Sequence, residues 1–294
     1  MRLHVLVGLV LLATLVLGTP APAASSLPPL LPKWFVPIQE GPAGGIVWKG
    51  RVLDRELRSF RRQSIVYVPP NANVATRYPV LYLLQGFYGG PLQFSSGLQL
   101  ATVADDAIES GVVRPFIAVA PPAGKTVTYD GEWAGPWERY LVRDVVPWVD
   151  AHLPTIPTRA GRPAAGVSAG GYGALDIGLR HPRLVETLES WSGYFKPFRD
   201  GSLRHADARE LAAHDPSRLV RRETSLLRSL GTRFYLSAGD TADRRTAELA
   251  LVFARELDAL RLPHELYLAP GAHNGHFWLA QLPVALRYAL PARQ

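Results

Sequence analysis

Gly161-Arg162-Pro163-Ala164-Ala165-Gly166-Val167-Ser168-Ala169-Gly170-Gly171-Tyr172-Gly173 is the stretch that decides how this chain of 294 residues is read. Its first seven residues are mostly small and apolar, the composition of a short buried central strand, and from Ala174 to Arg180 the spacing becomes helical until His181-Pro182 ends it. Between the two, Gly166-Val167-Ser168-Ala169-Gly170 gives a strand room to run straight into a helix with a serine at the corner. Such a turn strains the backbone of its nucleophile and tolerates only small neighbours. The five-residue pattern is common by chance, so the strand before it and the helix after it carry the reading. Together they point to acyl-transfer chemistry at Ser168.

An unassisted serine hydroxyl is a poor nucleophile near neutral pH, so a base must reach it and a carboxylate must orient that base, in the chain order serine, acid, histidine. Six of the eight histidines follow Ser168. His181 and His264 adjoin prolines at element boundaries, and His205 and His214 lie in a charged helical stretch where a solvated imidazole is the ordinary reading. His273 sits in the breaker-rich loop Ala269-Pro270-Gly271-Ala272-His273-Asn274-Gly275, between a strand-like run and a closing helix, with His276 as its competitor. Two histidines without a nearby cysteine or carboxylate make a poor metal site, and no metal is expected. For the acid, Arg233 to Ala238 alternates like a strand and opens into Gly239-Asp240-Thr241-Ala242-Asp243 before a helix from about Arg244 to Leu260. Asp243 is the preferred acid and Asp240 the turn residue, since aspartate also suits turns and caps. The oxyanion needs two backbone N–H donors. Ala169 supplies one, and Phe87 or its neighbour Gly86, in the Gln85-to-Gly90 loop after the strand Pro79 to Leu84, supplies the other.

From about Gly45 to Leu290 these segments resemble the esterase D and antigen 85 branch of the α/β-hydrolases. The resemblance is carried by Leu81 to Gly90, by the helix Trp137 to Asp150, by Gly166 to Leu175 with His181-Pro182, and by Gly271-Ala272-His273 with Trp278 five residues beyond. It implies an α/β-hydrolase fold, a mostly parallel central sheet with helices on both faces and a small helical cap insertion. It also implies ester hydrolysis or acyl transfer without a cofactor. The His-to-Trp spacing matches the family's catalytic histidine and selects His273 over His276. The family's acid follows a glycine at the end of the penultimate strand, which suits Asp243. Mycolyltransferases carry an acidic residue before the oxyanion-loop glycine and an arginine after the next hydrophobic residue, both used for trehalose. Here those places hold Gln85 and Tyr88, so trehalose-specific transfer is not expected. Gln85 also replaces the histidine found there in related bacterial esterases.

Residues 1–24 have the charged, apolar and small-residue regions of a secretory signal peptide, and the apolar run Val5 to Gly18 is shorter than the roughly 20 residues of a membrane span. Export is the expectation. The chain contains no cysteine, which excludes disulfides, a thiol nucleophile and thiolate metal sites. Residues 25–44 read as a Pro-rich arm, Gly44 to Pro70 as a pair of antiparallel strands, and 45–294 as one α/β catalytic domain in which the polar segment 194–231 is the candidate cap. The net charge of +7 comes from arginines scattered beside acidic neighbours, which suits a solvated surface or attraction to anionic envelope material rather than nucleic acid, and no obligate protein partner is implied. Trp133, Trp137, Phe87, Tyr88, Phe94 and Trp278 are candidates to line an acyl or aryl pocket, although each taken singly suits core packing. The sequence therefore predicts a secreted serine esterase acting on a small-molecule, lipid or glycan ester. The alternatives are a mycolyltransferase-type envelope acyltransferase and a non-catalytic carbohydrate- or matrix-binding protein of the same fold.

Overall fold

The computed structural model describes residues 30–52, 55, 63–87, 89–124 and 132–292. The expected signal peptide at 1–24 and the aromatic Tyr88 lie outside the described residues.

The short apolar runs of the sequence become the strands of one nine-stranded sheet among the described residues. β1 (Val36–Glu40), β2 (Ile46–Gly50) and β3 (Ser64–Val68) form an antiparallel edge. β4 (Val80–Leu84), β5 (Ile117–Ala120), β6 (Ala164–Val167), β7 (Thr187–Trp191), β8 (Arg233–Gly239) and β9 (His264–Ala269) are parallel. The spatial order is β1-β2-β3-β5-β4-β6-β7-β8-β9. Winding proceeds from β4 to β5 on one side and then resumes at β6 on the other. That reversal opens a crevice at the carboxyl ends of β4 and β6, where open α/β sheets place their sites.

β4 and β6 are buried at every position, as a strand covered on both faces must be, and this is why they read as unbroken apolar runs. Alternation is still visible in the two cores they serve. Val80, Tyr82 and Leu84 join one cluster, whereas Leu81 and Leu83 join the other. The second face is closed by α1 (Leu100–Glu109) and the C-terminal helix, Gly275–Ala289. The first is closed by a helix that begins as α2 (Pro136–Arg139), widens into a π-helical segment Tyr140–Val145 and continues as α3 (Val146–His152). Pro147 lacks the N–H that the ladder needs there, which accounts for the interruption of the helix expected from Trp137 to Asp150.

The same face carries α4 (Ala169–Arg180), the short helices α6 (Pro216–Arg222) and α7 (Thr224–Ser229), and α8 (Arg244–Ala259), while the short helix α5 (Ala208–Ala213) lies against α6. The closing helix is therefore α9. Two positions depart from the sequence reading. Val36–Glu40, inside the Pro-rich stretch, is the outermost strand, where Pro37 is tolerated because an edge position leaves one side of the ladder unpaired. His214 is buried, with its Nδ1 2.7 Å from Asp176 Oδ2 in the middle of α4. Tyr172 reinforces that join by donating its hydroxyl to the His214 carbonyl at 2.8 Å.

A second buried carboxylate ties the end of α4 to α2. Glu138 Oε1 accepts from Arg180 Nε at 3.0 Å and lies 2.7 Å from His181 Nε2. Burial alone pushes its carboxyl up, but the hydrogen bonds and charges of His181 and Arg180 more than reverse this and bring it from the ordinary 4.5 down to about 2. A depressed carboxylate contributes stability above its unfolded value and loses it as the folded group protonates. Wild-type melting temperature is therefore expected to fall between pH 4.5 and pH 2, and Glu138→Gln to melt lower at neutral pH with a flatter acid limb. Thermal melts from pH 2 to 7 check this.

Candidate active site

Ser168 occupies the corner between β6 and α4 with φ 54° and ψ −118°, a region that a residue with a Cβ enters only when its surroundings force it. Close packing forces it here. A Cβ at Gly170 would lie 1.9 Å from the Leu84 carbonyl oxygen, and one at Gly166 would lie 2.3 Å from the Gly170 carbonyl. The Ser168 N–H donates to the Trp191 carbonyl at 2.8 Å, which holds the corner against the end of β7.

The loop after β9 brings His273 to this corner. Its Nε2 lies 2.9 Å from Ser168 Oγ and its Nδ1 lies 2.9 Å from Asp243 Oδ2. A carboxylate only accepts, so Nδ1 carries the proton and Nε2 is left to accept a hydrogen bond from the Ser168 hydroxyl. Asp243 stands at the N-cap of α8 yet makes no capping hydrogen bond. Its carboxylate is buried and turned to His273 instead, with 7% of the side chain exposed against 39% for the imidazole. Asp240 is exposed, and its only side-chain bond among the described residues is with the adjacent Thr241 hydroxyl. His276 does not approach Ser168 through any hydrogen bond; its backbone N–H donates to Asn274 Oδ1, the N-cap of α9. That cap was legible as an asparagine directly before an apolar helical run.

One further residue, in the turn after β7, had no local sequence signal. Ser192, with φ 51° and nearly complete burial, donates its N–H to the Ser237 carbonyl at 2.6 Å. Its hydroxyl accepts from Trp278 Nε1 at 3.1 Å. Trp278 in turn stands edge-on to His273, with ring centroids 5.3 Å apart.

Gly86, Phe87, Gly89 and Gly90 of the loop after β4 lie beside the serine. A Cβ at Gly86 would come 3.2 Å from Ser168 Cβ, so this residue must be small for the loop to approach. Ala169 begins α4, where backbone N–H groups have no intrahelical partner. A cleft of about 520 Å³ opens over these groups, lined by Gly86, Phe87, Gly89, Gly90, Leu92, Gln93, Ser96 and Trp278 together with Ser168 and His273. No residue of 194–231 lines it; α6 packs instead on α4, burying Leu219 and Val220. Of the candidate pocket aromatics, Phe87 and Trp278 reach the cleft, whereas Trp133, Trp137 and Phe94 are core residues. Two other clefts of about 570 Å³, one near the N-terminal ends of β4 and β5 and one at the end of α4, lie away from Ser168.

The family model described as "Putative esterase" matches residues 59–289, more than half of the chain. The chain belongs to this esterase family. An esterase of Mycobacterium tuberculosis is 31% identical over 144 residues, 47% of this chain, and the match spans 30% of that protein's length. The MPT51/MPB51 antigen of Mycobacterium bovis is 25% identical over 231 residues, covering 71% of this chain and 74% of its own. Among solved structures, a ferulic acid esterase superposes with a TM-score of 0.72 at 20% identity, covering 84% of this chain and 98% of that one. An S-formylglutathione hydrolase of Staphylococcus aureus superposes with 0.63 at 17% identity, covering 85% and 99%. These likenesses establish an α/β-hydrolase fold for this member of the esterase family.

The strain at Ser168 has a measurable consequence. Glycine enters this backbone region freely and alanine does not, so Ser168→Gly is expected to be more stable than Ser168→Ala by about 1 kcal/mol, roughly 2–4 °C in melting temperature. Calorimetry of the two variants side by side checks it.

Proposed function

We propose that this member of the esterase family is a secreted serine carboxylic-ester hydrolase. The observation that carries the reading is the continuous hydrogen-bonded chain Ser168 Oγ, His273, Asp243 at the floor of an open cleft. In the proposed reaction His273 Nε2 takes the Ser168 proton as Oγ attacks the ester carbonyl, and Asp243 stabilises the imidazolium that forms. Ala169 and Phe87 N–H groups hold the oxyanion. Collapse of the tetrahedral intermediate breaks the bond to the alkoxy oxygen, which leaves as the alcohol with the proton from His273. Water then attacks the acyl-enzyme with His273 again as base, releasing the acid and restoring Ser168. The chemistry calls on side chains and backbone alone and needs neither metal nor organic cofactor.

Hydrolysis and acyl transfer share this acyl-enzyme and differ in whether water is kept from it. A catalytic imidazole exposed to solvent, in a cleft that segment 194–231 does not line, favours water as the acceptor over a sugar or lipid hydroxyl. The names of relatives and structural neighbours, a xylanase/feruloyl esterase, a ferulic acid esterase and an S-formylglutathione hydrolase, support cleavage of an ester or thioester. The apolar part of the substrate is proposed to rest on Phe87, Leu92 and Trp278. Export is supported by the signal-like residues 1–24, and the net charge of +7, to which those residues contribute only Arg2, would leave the exported enzyme basic and attracted to anionic envelope material. Among the described residues no helix is long and apolar enough to cross a membrane.

A p-nitrophenyl ester series from acetate to palmitate, run with and without glycerol or sugar acceptors, tests this reading. Turnover is expected in the wild type and not in Ser168→Ala, with free acid as the main product. Turnover unchanged in Ser168→Ala would refute it, and no turnover on any ester would favour a non-catalytic binding protein. Asp243→Asn is expected to lower kcat by about ten-thousand-fold, while Asp240→Asn stays within about threefold of the wild type; steady-state kinetics separate the two.

A further inference from the structure

Gln85 directly follows β4 and opens the loop proposed to carry the second oxyanion donor. Its side chain is almost fully buried. The amide nitrogen donates to the Ala123 carbonyl at 3.0 Å and to the Gly89 carbonyl at 3.2 Å. Two carbonyl oxygens at one end of the carboxamide fix that end as the NH2, because an oxygen there would face two acceptors. The backbone carbonyl of the same residue accepts from Trp133 Nε1 at 3.0 Å. Trp133 packs on α4 so closely that a Cβ at Gly173 would meet its Cβ at 2.5 Å. One residue therefore joins the far end of the oxyanion loop, the exit of β5 and the helix that starts at the nucleophile.

The other end of the carboxamide is informative too. Gln85 Oε1 is buried and has no hydrogen-bond partner among the described residues, and an unpaired buried polar atom is unfavourable. An apolar side chain of the same length would fill the space without that penalty. The donor end is what such a replacement would lose.

We propose that the Gln85 carboxamide is a positioning group for ester cleavage: by donating to Gly89 and Ala123 it holds the Gly86-to-Gly90 loop so that the Phe87 N–H meets the oxyanion. The inference rests on the esterase reading above. Donors that are fixed before the reaction act on the transition state and leave ground-state binding little changed. Loss of the carboxamide thus acts on kcat rather than on KM.

The test uses two near-isosteric variants of the full chain, Gln85→Glu and Gln85→Met, with p-nitrophenyl acetate from pH 5.5 to 9, melting temperatures measured in parallel and Ser168→Ala as control. Glutamate replaces the donor by an acceptor facing two carbonyls. Its kcat at pH 8 is expected to fall at least about tenfold, with KM within about threefold. Its activity relative to the wild type recovers as the pH falls and the new carboxyl takes up a proton that it can donate. Methionine is expected to show a similar loss of kcat, with a ratio to the wild type that does not vary with pH. Wild-type kcat in both variants, or a lowered melting temperature without a kcat effect, would overturn the inference and leave a packing role. If the glutamate variant does not fold, the methionine variant decides on the same kcat criterion. Absence of Ser168-dependent turnover in the wild type would remove the esterase reading and this inference together, whereas intact wild-type turnover with unaffected Gln85 variants would remove this inference alone.

Discussion

The close approach of backbone to backbone at the end of β6 is the constraint on which the rest depends. Gly166, Gly170 and the Leu84 carbonyl are packed to distances that leave no space for a side chain, and the chain can only pass from strand to helix by forcing Ser168 to positive φ. The strain, of order 1–3 kcal/mol for a non-glycine residue, is maintained by the surrounding sheet and by the Ser168 N–H bond to Trp191. Its result is a hydroxyl projecting from the sheet at the point where strand order reverses, next to a glycine loop from β4 and within reach of the loop after β9.

Around that point, solvent exposure is graded in a way that suits proton transfer. Asp243 is buried, so its charge is little screened and favours the Nδ1-protonated imidazole; His273 is more open, as the proton exchange with water and a leaving group in the proposed mechanism requires. Trp278 borders the imidazole from one edge and is itself anchored on Ser192, whose own backbone is held by β8. The groups assigned to chemistry thus come from four separate strand ends, and the sheet fixes their mutual distances better than any one loop could.

Much of this was legible in the sequence where the determinant is local. The buried runs of β4 and β6, the elbow and the breaker-rich His273 loop all stand in continuous stretches whose composition reflects their environment. The start of α4 was harder to see, since Gly170, Gly171 and Gly173 lower helical propensity in its first turn. They are there because Gly171 meets Ser190 and Gly173 meets Trp133, contacts that no helical pattern announces. His214 read as solvated because its neighbours are charged, but its partner Asp176 lies 38 residues earlier. Gln85 likewise finds Ala123 and Trp133 at separations of 38 and 48 residues. Asp243 and Asp240 differ in sequence only by spacing, and it is the turn of the carboxylate away from the helix cap that distinguishes them.

The central claim is that Ser168 carries the acyl group. Rapid-quench mass spectrometry during turnover of a slowly hydrolysed ester, followed by peptide mapping, measures this directly. The account predicts a peptide bearing Ser168 whose mass is raised by the acyl group, appearing before free acid accumulates. Sustained turnover with that peptide unmodified, or an acyl group on a different residue, would contradict it.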